Sequence, residues 1–253
     1  MALIGQKLPV AYDNFRVSSR SVLSHGRSLY MKKLLASALA LVGISAGTQA
    51  QPTLQTFDPK SILFTTPTLS NDIAELDPVS GQPSKADLVF HEDEWAQIEF
   101  LRADQLPAIK KMLGEFKLFE IAHRAKPGWT QVYVRSLPRE AVVSGNGALR
   151  HLGNVLGAAI GPAPILFSSG TVNGRVRNGA SFDLGGNISL YTAPASDGVL
   201  VLGANVGPQP DDSKLMAAFA KLNASDHLLL VDWRQQIVLI AMTPDGRVDA
   251  WRP

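Results

Sequence analysis

The sequence predicts an α+β fold: a mostly antiparallel sheet, two or three amphipathic helices and a C-terminal three-strand meander. Three observations predict it. Leu228 to Trp233 and Ile237 to Met242 are dense apolar runs of strand length, and the turn Thr243-Pro244-Asp245-Gly246 leads on to Val248, Ala250 and Trp251. Ile109, Met112, Leu113, Phe116 and Phe119 recur at helical spacing. Between these regions lie further apolar runs separated by Asn173-Gly174 and Asn178-Gly179, dipeptides suited to tight turns.

The first fifty residues are expected to stand outside this fold. Met31 is followed by Lys32 and Lys33, then by Leu34 to Ile44 with only Ser37 and Gly43 interrupting, then by Ser45-Ala46-Gly47-Thr48-Gln49-Ala50. Basic, apolar and small residues in that order make a cleavable bacterial-type export signal over residues 31–50, cut between Ala50 and Gln51. The apolar run falls short of the roughly 20 residues that cross a bilayer. Such signals open their chains, so Met31 is the expected initiator and residues 1–30 a mis-called upstream extension. Arg16, Ser18, Ser19, Arg20, Ser21, Ser24, Arg27 and Ser28 leave that extension no useful apolar period.

Removing the leader changes the electrostatics. Of 24 Lys and Arg and 22 Asp and Glu, six and one lie in residues 1–50; the remainder carries 18 and 21, a net charge of −3. Nucleic-acid binding rests on many cations neutralising phosphates, so it is not expected here. The chain has no cysteine, which excludes disulfides, thiolate metal sites and thiol catalysis. No second long apolar run follows the signal, so a soluble periplasmic or secreted product without a stable membrane span is expected.

Residues 51–86 contain six prolines or glycines, Pro52, Pro59, Pro67, Pro78, Gly81 and Pro83, and should be extended and turn-rich, with a brief helical turn only at Ile73 to Leu76. An α+β domain is expected over 87–253, with two lobes dividing near 137–164. Leu88-Val89-Phe90 opens it, and Ala96, Ile98 and Phe100 alternate with Trp95, Gln97 and Glu99 as in a half-buried strand. Asp104 offers an N-cap to a helix ending near His123. After the Lys126-Pro127-Gly128 break, Val132 and Val134 alternate with Gln131, Tyr133 and Arg135. Gly145 to Gly161 suits a small-residue helix carrying Leu149, Leu152, Val155 and Leu156 and stopped by Gly161-Pro162. Ile165 to Phe167, Ser181 to Tyr191 and Val199 to Val206 read as strands. Asp211-Asp212-Ser213 opens a helix whose Leu215, Phe219 and Leu222 share a face.

No motif identifies a reaction. Gly43-Ile44-Ser45-Ala46-Gly47 has the letters of a nucleophile elbow but lies inside the export signal, without the strand and helix that chemistry needs. His91-Glu92-Asp93-Glu94 does not match H-E-x-x-H, and four consecutive side chains on an extended segment cannot converge on one ion, so a solvated turn is expected there. Gly145-Asn146-Gly147 lacks the third glycine of a dinucleotide loop. Four histidines follow the leader, His91, His123, His151 and His227, and a hydrolytic group such as Ser169 with one of them would form only in three dimensions.

Aromatic residues suggest one binding surface. Trp95 with Glu99, and Tyr133 with Arg135, share strand faces; if the two strands pair, the four make a partly exposed stacking and hydrogen-bonding surface. Ordinary sheet coverage is the favoured role for Trp95 and Tyr133 over that surface, and core, edge or oligomer packing is the role for Trp233 and Trp251. The expected function is that of an exported, non-enzymatic binding or assembly protein, its partner another protein or an envelope component, with no metal or cofactor implied. An exported hydrolase and a small-ligand carrier are the alternatives. A hydrolase would set a histidine near a carboxylate and a nucleophile in a cleft, a carrier would enclose an apolar pocket, and an assembly protein would expose an apolar patch or sheet edge.

Overall fold

The computed structural model describes residues 63–168, 171–243 and 245–253. The expected export signal, its expected Ala50/Gln51 cleavage point and Ser169 therefore lie outside the described residues. Structure begins earlier than Asp87: β1 (Thr68–Ser70) and β2 (Leu76–Asp77) precede β3 (Val89–His91) and β4 (Ile98–Arg102). No helical turn forms at Ile73 to Leu76, because Leu76 and Asp77 pair with a strand about a hundred residues downstream. Helix α1 (Leu106–His123) follows, with a proline in its first turn where no backbone donor is needed. Asp104 does not cap it. That residue sits in a preceding 3₁₀ turn, its carboxylate held by Arg102.

Short strands β5 (Arg124–Ala125), β6 (Gly128–Trp129), β7 (Tyr133–Arg135) and β8 (Val143–Ser144) lead to α2 (Ala148–Leu156). This helix stops at Gly157, whose φ of 70° is left-handed, four residues before the expected Gly161-Pro162 stop. The chain continues through β9 (Ile165–Ser168), β10 (Thr171–Val176), β11 (Ala180–Gly185), β12 (Ile188–Ala195) and β13 (Gly198–Val206). Ser181 to Tyr191 is thus not one strand but a hairpin turning at Gly186-Asn187. Asn173-Gly174 is not a turn; it lies within β10 where the register to β9 shifts. Asp211 caps α3 (Asp212–Asp226) by accepting the Ser213 N–H. The expected meander then closes the chain as β14 (Leu228–Asp232), β15 (Ile237–Met242) and β16 (Val248–Trp251).

The main sheet runs β11-β12-β13-β4-β14-β15-β16, with β8 alongside β13, and each of these neighbours pairs antiparallel. A second sheet, β2-β10-β9-β3, contains one parallel pairing, between β3 and β9. The whole is a mixed α+β fold dominated by sheet. Strand β4 sits between β13 and β14, so the main sheet joins segments from both sides of residues 137–164.

Alternation along these strands sorts the core by face. Ile98, Phe100, Leu190, Leu202, Leu228 and Leu230 point to a cluster covered by α2 and α3. On the other face, Leu101, Leu229, Val231 and Val238 meet Ile109 and Leu113 of α1. Tyr191, Ala193 and Val201 meet Phe90, Leu166 and Val176 of the second sheet. Gly203 stands directly opposite Tyr191, and a Cβ there would lie 2.3 Å from the tyrosine ring. The missing side chain lets that ring lie across β13.

Candidate functional site

Three regions carry enough chemistry to be compared. The first holds the four residues expected to form a surface. Strands β4 and β7 do not pair: β4 is flanked by β13 and β14, while β7 runs parallel to β1. Glu99 is 1% exposed and Arg135 2%, and Trp95 is buried as well; only Tyr133 reaches partial exposure. The expected partly exposed surface is therefore corrected to an interior cluster.

Its geometry explains the burial. Arg135 donates to the Ala96 carbonyl at 2.6 Å, to Thr68 Oγ1 at 2.9 Å and to Gln97 Oε1 at 3.3 Å, and its guanidinium lies 5.0 Å from the Trp233 ring centre. Trp233 Nε1 donates to Glu99 at 2.7 Å, and Arg139 closes on the other oxygen of the same carboxylate and on Asp72. Burial draws the Arg135 pKa down to about 10, which leaves it charged at neutral pH. Burial works against the charge on Arg139 too, yet Glu99 and Asp72 hold its pKa above the usual value. Trp95 stacks at 5.0 Å on Tyr191, whose hydroxyl oxygen accepts the Ala96 N–H. Burial raises the Tyr191 pKa. Every strong group here is turned inward, so the cluster ties β1, β4, β7 and the β14–β15 turn together.

The second region is an open groove of about 450 Å³ lined by Val142, Val143, Ser144, Ala148, His151 and Asp226. His151, on α2, places Nε2 2.7 Å from Asp226 Oδ1 at the end of α3, and Ser225 donates to the other Asp226 oxygen. Ser144 ends β8 just ahead of α2. A carboxylate-held imidazole and a hydroxyl thus share one groove, which supplies the base, and the carboxylate that orients it, for a serine nucleophile. The contact between nucleophile and base is missing among the described residues: Ser144 makes no hydrogen bond to His151.

The third region is the outer face of α1. Its inner stripe, Ile109, Leu113 and Phe116, is buried. Leu118 and Ile121, one turn apart on the opposite side, are 72% and 66% exposed, with Val134 of neighbouring β7 also exposed. Gly114, one turn earlier, faces open space. Lys111, Lys117, Arg124 and Lys126 are exposed around this stripe, and Glu115 is the exposed acid on the helix beside it, hydrogen-bonded by the Tyr133 hydroxyl. Sequence reasoning followed the inward period and passed over Leu118 and Ile121. The signal was an apolar pair out of phase with the core stripe on a helix that needs only one buried face.

The remaining polar candidates engage local partners, while His91 Nε2 is buried without a hydrogen-bond partner among the described residues. His91 accepts the Asp93 N–H and starts a 3₁₀ turn over Glu92–Glu94, in which Arg234 holds Glu94 and Asn173 donates to Glu92. Among the described residues no group of three or more His, Asp and Glu converges as a metal site. His123 ends α1 beside Thr130, and His227 caps α3 in a left-handed conformation. Trp233 is core, and Trp251 lies on the edge strand under Lys110. No described helix is long and apolar enough to cross a membrane. The chain matches no family model, and neither the curated proteins nor the solved structures searched include a match.

Proposed function

We propose that this chain is an exported, non-enzymatic protein that binds or assembles with a component of the bacterial envelope through the outer face of α1. The observation that carries the reading is the exposure of Leu118 and Ile121 on a helix whose other side is already committed to the core. Leaving two large aliphatic side chains in water forgoes about 1.5–3 kcal/mol each, and adjacent ones on a rigid element make a contact surface. Export rests on the Lys32-Lys33 start, the apolar run and the small residues before Gln51.

Fractionation of the producing cell with intact-mass analysis tests export: a periplasmic or secreted product beginning at Gln51 is expected, and a cytosolic product retaining residues 31–50 overturns it. A photo-crosslinking amino acid at position 118 tests the surface. It should capture an envelope component in living cells, whereas one at exposed Asp183 should not; equal labelling from both positions removes the reading.

A second reading has one observation in its favour. The His151–Asp226 pair beside Ser144 suits an exported hydrolase. A fluorophosphonate probe that labels the wild type and loses Ser144→Ala would establish it, and absence of labelling retires it.

A further inference from the structure

Around Leu118 and Ile121 the exposed charges are unequal. Lys111 lies on the same stripe, Lys117 and Arg124 flank one side, and Lys126 follows the helix; against these four cations the exposed acid is Glu115, itself engaged by Lys111 and Tyr133. This excess is local, since residues 51–253 as a whole are net acidic. Glu120, the other carboxylate on this part of the helix, is half-buried between Arg124 and Gln236. Long cationic side chains around a protruding aliphatic pair are the arrangement by which an interfacial helix enters a bilayer surface: the aliphatic groups pass below the headgroups while the cations remain among the phosphates.

Resting on the envelope-binding reading above, we propose that the outer face of α1 docks on an anionic lipid surface. The helix lies parallel to the membrane, Leu118 and Ile121 reach into the acyl boundary, and Lys111, Lys117, Arg124 and Lys126 neutralise headgroup charge. A protein partner with an acidic, grooved surface would meet the same chemistry. Lipid is favoured because the two aliphatic side chains project singly from a convex helix, which a fluid surface accommodates without a preformed pocket. Each cation held near an anionic surface strengthens binding roughly fivefold; Lys111 and Arg124 are shared with Glu115 and Glu120, so the net excess of two charges adds to the aliphatic insertion and gives reversible adsorption, weakened by salt.

Co-sedimentation of the protein, as it accumulates in the producing cell, with vesicles of phosphatidylglycerol and phosphatidylcholine measures this directly. Binding is expected to vesicles containing phosphatidylglycerol and at least tenfold weaker to phosphatidylcholine alone. Leu118→Glu with Ile121→Glu should abolish it, and Lys117→Gln with Arg124→Gln should weaken it more than tenfold. All these side chains are exposed, so thermal unfolding should stay within a few degrees of wild type and report any variant that misfolds. No adsorption to anionic vesicles at low salt, or adsorption that survives Leu118→Glu with Ile121→Glu, overturns the lipid assignment. If vesicles fail while position 118 still crosslinks an envelope protein in cells, the binding reading stands and only the lipid is wrong; if both fail, both fall.

Discussion

The two faces of the main sheet are built on different principles. The face under α2 and α3 is dry: Phe100, Leu190, Leu202, Phe219 and Leu222 meet with almost no exposure. The opposite face carries α1 and the second sheet, and between them it buries Glu99, Arg135, Gln97 and Thr68 with Arg139 at the margin. Strand β4 serves both faces at once, Ile98 and Phe100 toward the dry side, Glu99 and Leu101 toward the other. The dry face is specified by volume and tolerates exchange of similar shapes. The polar face is specified by direction, because each donor there needs its own acceptor.

Breaking the polar face should have the largest effect. Glu99→Ala leaves Arg139 without its buried counter-ion and Trp233 Nε1 without an acceptor, at a cost of about 4 kcal/mol in urea unfolding. A double-mutant cycle between Glu99→Ala and Arg139→Ala should show coupling above about 1 kcal/mol. On the dry face, Leu222→Ala should cost about 3 kcal/mol through lost burial and a residual cavity. It should cost the same at pH 5 and pH 8. Equal costs with no Glu99–Arg139 coupling would erase the distinction between the faces.

The dry and polar faces were not equally legible in the sequence. The meander, the α3 stripe and the inward period of α1 could be read because a strand or helix that buries apolar side chains at its own period shows that pattern within a short window, whichever face of the sheet it covers. Glu99 could not be placed, since its partners Arg139 and Trp233 lie 40 and 134 residues away and reach it only through folding. Local propensity also misplaced turns. Gly185-Gly186-Asn187 carried a hairpin signal that the surrounding apolar residues masked, while the good turn letters Asn173-Gly174 were absorbed into β10 by pairing with β9 and β2. Of the candidate sites, Trp95, Glu99 and Arg135 proved interior, and the exposed pair on α1 looked ordinary because exposure is a property of what fails to cover a residue.

A smaller effect sharpens the comparison at the end of β14. Asp232 is almost fully buried and accepts the Gln235 N–H; burial raises its pKa to about 6. Its folded state therefore holds the proton more tightly than the unfolded chain. This group's contribution is most favourable below pH 4 and falls as pH rises toward 6, above which the full penalty remains. Two pK units correspond to about 3 kcal/mol. The opposing pull of Arg234 and Arg252 on the ion is already contained in that net shift, so Asp232→Asn should stabilise the protein by about 3 kcal/mol at pH 7 and by nearly nothing at pH 3.5. A constant difference across that range would mean that the carboxyl does not titrate between folded and unfolded states.

The smallest effect concerns the His151–Asp226 pair, which bridges α2 and α3 on the solvent side of the dry face. With the imidazole 44% exposed, solvent screening limits such a pair to less than about 1 kcal/mol. The helices are already held by Leu152, Leu156, Phe219 and Leu222 beneath it. His151→Ala should therefore leave unfolding almost unchanged, and fluorophosphonate labelling should be as low as in the wild type. A labelling signal that disappears with His151→Ala, in a protein of unaltered stability, would show that this exposed histidine serves Ser144 and not the helices, and would turn the dry face's outer edge into an active site.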